Sequence, residues 1–405
     1  MKNLTPLNEC VACGSTNLIR TLDLNDQPLA NTYSLKVDKK ETAYPLAVNR
    51  CQDCFHLQLT HIVDPEIIYK DYAYVSGTSQ TYLDYMFWFA KWCREYTDFW
   101  HGHVLDIGCN DGSQLDAFDA LGFNTYGVDP AENLYEISSS KGHKVVCGFW
   151  NKKSIKELKH NKFDIIVSQN AFAHNPDPEK YFELLDEVTK DKSHVFIQTS
   201  QSDMVVNGEF DTIYHEHISF YNVNSFNELA KRTSFNLIDV IKTPIHGTSY
   251  VFVLSKGKKR NKHISNLIAM EKNLLEPDTY VKWEQKVNSV VKEFKSIIDE
   301  HKTNSYKIIG YGAAAKGNTL LNFAEVDLDY IVDDNPMKQN RYSPGRNIPI
   351  VSMDYITMNF SRSDKILFVP LAWNFFNEIK SKIKIARAVN TDKFLRYFPE
   401  VTVEY

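Results

Sequence analysis

Val104-Leu-Asp-Ile-Gly-Cys-Asn-Asp-Gly112 is an apolar run that ends in an acid and passes at once into a glycine-spaced turn. Such a run predicts a buried strand, and the glycines predict a loop whose backbone approaches a ligand closely. The turn is the expected cofactor cradle. Tyr126-Gly-Val-Asp-Pro130 follows, apolar and then acidic, which places Asp129 at the carboxyl end of a second parallel strand, within reach of ribose hydroxyls.

A dinucleotide fingerprint puts three glycines in one turn to admit a pyrophosphate, whereas here Asp106 and Asp111 would repel phosphate. A cationic cofactor suits the pair better. The stretch resembles motif I of the S-adenosylmethionine-dependent methyltransferases, in which Asp129 matches the acid placed on the adenosine ribose. The plain alternative is a buried strand followed by an ordinary turn. The residues expected to hold the cofactor are Asp106, Gly108, Asn110, Asp111, Gly112 and Asp129, joined by Gln169 and Asn170 at the end of a later strand.

At 405 residues the chain exceeds one typical core and should divide into two or three domains. Hydrophobic residues make up 43% and charged residues 24%, a globular composition, and no apolar run is long enough to span a bilayer. No membrane partner is expected. The start, Met-Lys-Asn-Leu-Thr-Pro, lacks the apolar stretch of a secretory signal, so a reducing cytoplasm is the expected location and disulfides are not expected. A net charge of −5 argues against a nucleic-acid partner, and the basic run Lys256-Gly-Lys-Lys-Arg-Asn-Lys262 reads as a solvated connector.

Of seven cysteines, Cys93, Cys109 and Cys147 stand alone, while Cys10-Val-Ala-Cys13 and Cys51-Gln-Asp-Cys54 are paired at knuckle spacing. Two such pairs predict a tetrahedral zinc site, and four thiolates with no evident open position make it structural. The segment between the pairs can hold strands, as Ala43-Tyr-Pro-Leu-Ala-Val48 suggests. His56 and His61 nearby read as surface or packing residues.

Three domains follow: a zinc-binding module over 1–75, a doubly wound α/β methyltransferase-like domain over 76–256, and a smaller Rossmann-like domain over 257–405. The tyrosine-rich Tyr69-Lys-Asp-Tyr-Ala-Tyr-Val-Ser-Gly-Thr-Ser-Gln80 reads either as packing or as a loop over a polar ligand, ahead of a helix through Trp100. Further strands are expected at Phe163–Val167 and His194–Gln198, and a late hairpin at 235–241 and 249–254 joined through Gly247. Between Tyr280 and His301, apolar residues recur at the spacing of an amphipathic helix. Lys307-Ile-Ile-Gly-Tyr-Gly-Ala-Ala-Ala-Lys-Gly317 gives another strand, turn and helix start. That turn either binds phosphate, with Lys316 adding charge, or only permits tight packing.

Phe210-Asp-Thr-Ile-Tyr-His-Glu-His-Ile-Ser-Phe-Tyr221 concentrates ionisable groups on the scale of a reactive site. If it is extended, His215 and His217 share one face and Glu216 takes the other. The set suits proton transfer near neutral pH. Its rivals are a metal held by His174, His215 and His217, and a satisfied polar cluster at a domain seam.

Taken together, the paired cysteines, Asp106–Gly112, Asn170-Ala-Phe-Ala-His174, Tyr214-His-Glu-His217, His246-Gly-Thr248 and Gly310–Gly317 resemble the sugar C-methyltransferases that build branched deoxysugars on nucleotide carriers. The resemblance covers nearly the whole chain. It implies S-adenosylmethionine and structural zinc as cofactors and a nucleotide-diphosphate sugar as substrate. His217 corresponds to the general base, with Glu216, Tyr214, His174 and Tyr74 around the reacting sugar. It also implies a C-terminal domain that helps hold the diphosphate. Thr248, where relatives often carry a second glycine, and His215, at a variable position, depart from the pattern. Competing readings are an O- or N-methyltransferase, a nicotinamide oxidoreductase using Gly310–Gly317 with Asp333 as ribose acid, and a non-catalytic zinc scaffold. The oligomeric state is left open, a monomer included.

Overall fold

The structure is a computed structural model that describes residues 3–38, 40–69, 74–159, 162–199, 203–243, 245, 249–258 and 262–405. His246, Gly247 and Thr248 lie outside the described residues, as do Lys70–Ala73 of the tyrosine-rich loop and part of the basic connector. The chain forms two interleaved compact units. One gathers residues 1–20, 48–203 and 216–276, and the other gathers 21–47, 204–215 and 277–405.

The first unit is built on a seven-stranded sheet: β1 (His103–Ile107), β2 (Asn124–Asp129), β3 (Lys144–Cys147), β4 (Phe163–Gln169), β5 (Thr189–Thr199), β6 (Asn236–Thr243) and β7 (Ser249–Ser255). Their order is β6-β7-β5-β4-β1-β2-β3, parallel throughout except for β7, which runs antiparallel to both neighbours. The central strands are apolar on both faces because helices cover both. On one face the helix Gln80–Thr97 buries Met86, Phe89 and Cys93 over Val104, Val167 and Phe196. On the other, Pro178–Val188 and Val223–Lys231 bury Phe182, Leu185, Phe226 and Leu229 over Leu105, Ile166 and Ile197.

Strand order reverses between β1 and β4, so their carboxyl ends open a crevice of the kind in which α/β sheets bind ligands. The turn after β1 and the segment after β4 both leave from that point. A smaller sheet accompanies it: Leu57–Leu59 pairs with Val48–Arg50 on one side and Ser219–Phe220 on the other.

In the second unit a six-stranded sheet has the order Ile350–Val351, Tyr330–Val332, Lys307–Tyr311, Ile366–Pro370, Lys393–Arg396, Thr402–Glu404, antiparallel only at the last pair. The expected amphipathic helix runs Pro277–Thr303 and buries Trp283, Val287, Phe294 and Ile298. Among the described residues no helix is long and apolar enough to cross a membrane.

Candidate active site

The turn after β1 is shaped by three left-handed residues, Gly108 (φ 85°), Asn110 (φ 49°) and Gly112 (φ 80°). Gly108 donates its N–H to the Val128 carbonyl at 2.8 Å, and Asn110 donates its own to Asp129 Oδ2 at 2.8 Å. These bonds tie the turn to the end of β2. A Cβ on Gly108 would stand 2.4 Å from the Ala171 Cβ, so glycine there lets the segment after β4 come up against the turn. Asp129 also accepts from Ala131 N–H through Oδ1, at 2.9 Å.

Three carboxylates, Asp106, Asp111 and Asp129, are nearly buried around this turn. Burial first, then Asp129 and Asp111, push Asp106 up to about 8. Burial likewise raises Asp129, against the two amides that lower it. Acids crowded into a dry site ionise more readily beside a cation, so the site favours a cationic ligand, and the sulfonium and ammonium of S-adenosylmethionine fit it.

Asp111 has local partners as well. Its Oδ2 accepts from Ser113 Oγ at 2.8 Å and from Gly77 N–H at 3.1 Å. Asn110 accepts from Ser76 N–H at 2.9 Å and donates to the Tyr74 carbonyl at 3.1 Å. The stretch Tyr74–Thr78 is thereby strapped onto the turn by backbone bonds that no side-chain pattern announces. Past β4, Asn170 takes a left-handed conformation (φ 54°) and donates to the Tyr82 hydroxyl at 2.9 Å, while Gln169 donates to Gln114. Gly77 belongs to the stretch whose composition suits either packing or a loop over a polar ligand, whereas Tyr82 and Gln114 carry no mark in the sequence.

The stretch 210–221 is not extended. Turns occupy 211–212 and 215–216, and the division between the compact units falls between His215 and Glu216. The extended backbone on which His215 and His217 would share one face is not present, because alternation holds only while the backbone stays extended and a turn breaks it. In the second unit, Tyr214 is partly buried and His215 hydrogen-bonds through Nε2 to the Tyr44 carbonyl at 3.2 Å. Burial lowers His215 to about 4.

In the first unit, Glu216 and His217 are buried. The imidazoles of His217 and His174 stack with centroids 5.2 Å apart, and the other face of the pair is closed by Tyr69, stacked on His174 at 5.5 Å. Tyr69 also donates its hydroxyl to the Glu216 carbonyl at 3.4 Å. Among the described residues of the N-terminal loop, Tyr69 packs on His174. Tyr74 meets the cofactor turn through its carbonyl. Burial lowers His174 to about 4, which makes it a neutral imidazole at physiological pH. Ile218 N–H donates to the Ala173 carbonyl at 2.8 Å, so the segment Ala171–His174 touches the Gly108 turn at one end and the His217 stretch at the other.

Among the described residues, the one group of three or more His, Cys, Asp or Glu side chains able to hold a metal ion is Cys10, Cys13, Cys51 and Cys54. Their sulfurs lie within 4.8 Å of one another, with Cys10–Cys54 at 3.5 Å and Cys13–Cys51 at 3.6 Å. A tetrahedral zinc with bonds of about 2.3 Å sets its sulfurs about 3.8 Å apart, so the cage fits the ion. Both knuckles repeat one backbone design. The Cys10 and Cys51 carbonyls accept from Gly14 and Phe55 N–H, and both N–H groups of these cysteines donate to carbonyls five residues on. The rival histidine metal site is absent from this group.

The turn at Gly310–Gly317 copies the first one: Gly312 N–H donates to the Val332 carbonyl and Ala313 N–H to Asp333 Oδ2, each at 2.7 Å. Lys316 lies over the Trp373 ring, 5.2 Å from its centroid. A Cβ on Gly317 would meet the Leu371 Cβ at 2.7 Å, so this glycine serves packing.

Comparison with known proteins agrees with this architecture. Family descriptions match in tandem: a zinc binding domain over residues 10–69, a methyltransferase domain over 82–240 and a C-methyltransferase C-terminal domain over 244–399. C-methyltransferase NovU of Streptomyces niveus is 24% identical, over 92% of this chain and 91% of its own. The ubiquinone biosynthesis O-methyltransferase of Coxiella burnetii (strain Dugway 5J108-111) is 23% identical over 39% of this chain and 74% of its own. Among solved structures, the PH0226 protein of Pyrococcus horikoshii aligns with a TM-score of 0.38 at 16% identity, covering 47% of this chain and 97% of its own. In its order of domains, a zinc-binding domain, an S-adenosylmethionine-dependent methyltransferase domain and a C-methyltransferase C-terminal domain, and over nearly its whole length, the chain is similar to a C-methyltransferase.

Proposed function

We propose that the enzyme methylates a ring carbon of a keto deoxysugar carried on a nucleoside diphosphate, in branched-sugar biosynthesis, through an enolate that His217 generates. The observation that carries this reading is the Ala171–His174 segment, which abuts the cofactor turn and stacks a neutral His174 on His217. A carbon beside a ketone becomes nucleophilic only after losing a proton, so a base next to the methyl donor is required.

S-adenosylmethionine supplies an electrophilic methyl on a sulfonium. The backbone of Gly108, Asn110 and Gly112 would cradle it, Asp129 would take the ribose hydroxyls, Asp106 and Asp111 would face its positive end, and Gln169 and Asn170 would line its β4 side. His217 takes the α-proton, and the C–H electrons move onto the carbonyl oxygen. His174, neutral and so able to donate an N–H, steadies that oxyanion, with Tyr214 a second donor by resemblance. S-adenosylmethionine held in that cradle would supply the methyl that the enolate carbon takes up. Glu216 would orient His217, and Tyr69 and Tyr74 would close the pocket.

The functional division proposed is 1–75, 76–256 and 257–405, with the Gly310–Gly317 turn and Lys316 offered to the diphosphate. A reducing cytoplasm suits the thiolate cage. The test is incubation with methyl-labelled S-adenosylmethionine and a panel of 4-keto nucleotide sugars. The reading expects label on a ring carbon. Label on oxygen or nitrogen, or tight NAD binding in its place, would overturn it.

A further inference from the structure

We propose that the zinc module positions His217, so that the metal reaches the reaction through the chain rather than by touching substrate. This rests on His217 being the base. Two residues after His217 the chain enters a strand of only two residues, Ser219–Phe220, whose partner is Leu57–Leu59. So short a pairing has almost no stability of its own, and its place is set by whatever fixes the partner. Leu57–Leu59 begins three residues beyond Cys54, and its Leu59 N–H donates to the Ile218 carbonyl at 2.9 Å.

Both knuckles converge on this strand. The fully buried Gln58 accepts from Val11 N–H at 2.9 Å and donates to the Glu9 carbonyl at 2.8 Å, embracing the residues that flank Cys10. His56 bonds Ser219 Oγ at 3.3 Å, and its ring packs 4.5 Å from that of Tyr221. From the other direction, Asn222 donates to the Phe55 carbonyl at 2.9 Å and Asn224 to the Cys54 carbonyl at 3.1 Å. Asn222 also caps the helix Val223–Lys231. The residues on the carboxyl side of His217 are thus gripped at five points by the segment carrying the zinc ligands, and Ile218 N–H joins them to the His174 segment.

An ion shared by the four thiolates would tie the two knuckles together, and such binding free energy is folding free energy for a small module. Loss of zinc should then loosen Ile218–Tyr221 and release His217 from its stack, while the cofactor turn, held by β1 and β2, stays in place. Gln58, Asn222 and Asn224 are positioning residues in this account.

The test uses the full-length protein with S-adenosylhomocysteine bound, followed by hydrogen exchange across residues 216–221 and by the ring resonances of His217, assigned with His217→Asn. Chelation of zinc should speed exchange there by roughly tenfold or more and shift the His217 resonances, and zinc should restore both. S-adenosylhomocysteine affinity should stay within about twofold. Should chelation unfold the whole chain, zinc-loaded Gln58→Leu and Asn224→Ala decide. They should keep full zinc content and cofactor affinity yet show the same loosening, with kcat falling more than KM rises. Exchange that increases only within residues 3–63, or variants that leave residues 216–221 and the His217 resonances unchanged, would overturn the proposal. Because these readouts need no turnover, a wild type that methylates no keto sugar would remove the base assignment without deciding the coupling.

Discussion

The imidazoles of His174 and His217 lie face to face, centroids 5.2 Å apart and planes 28° from parallel. Two stacked imidazoles cannot both carry charge cheaply in a dry site, and burial lowers His174 to about 4. The neighbour of His217 is therefore an uncharged donor across the working pH range.

A stability test follows from that depression. The unfolded chain binds a proton at His174 near its ordinary 6.5, the native chain only near 4, so the stabilising contribution is complete above 6.5 and disappears as pH falls through 4. In urea unfolding, wild type should lose stability relative to His174→Phe between pH 6.5 and 4. A constant difference across that range would contradict it.

Asp106, raised to about 8, holds its proton in the free enzyme at neutral pH. A sulfonium beside it favours the carboxylate, so S-adenosylmethionine binding should release a proton below pH 8, and more of one than S-adenosylhomocysteine, which lacks the sulfonium charge. Calorimetry in two buffers of different ionisation enthalpy measures this. The affinity ratio of the two ligands should rise from pH 6 to 8.5, flatten in Asp106→Asn, and the account fails if the wild-type ratio is already flat.

Gly77 tests the strap over the turn. An added Cβ would stand 2.4 Å from Asp111 Oδ2 and 2.6 Å from Ser113 Oγ, so Gly77→Ala must give up the Gly77–Asp111 bond or displace the Asp111 side chain. A loss of about 1–2 kcal/mol in S-adenosylhomocysteine binding, roughly 5–30-fold, is expected, with little change in melting temperature. Unchanged affinity would mean that the strap has no part in the site.

Much of this was legible in the sequence, and the remainder has physical reasons. The Gly108 turn, Asp129 and the paired cysteines could be read because their chemistry is local: left-handed glycines, an acid at a strand end, thiols at knuckle spacing. The bend at His215–Glu216 could not, since polar–apolar alternation is the same in a strand and in a turn buried on both sides. Tyr69 is one of three tyrosines within six residues, and only tertiary packing shows that its ring meets His174. The interleaved units are equally silent, because segments 21–47 and 204–215 join 277–405 through contacts far apart in the chain. Strand β3, four residues with one buried, carries too little pattern to be found.

The base assignment is tested most directly by His217→Asn. It keeps much of the side chain's size and removes the proton acceptor, so folding and S-adenosylhomocysteine affinity should persist while methyl transfer to carbon falls by roughly 10²–10⁴. With S-adenosylhomocysteine bound in deuterated solvent, wild-type enzyme should exchange the α-hydrogen of the keto sugar, and the variant should do so far more slowly. A His217→Asn enzyme that methylates and exchanges at the wild-type rate would contradict the account and pass the base role to His174 or His215.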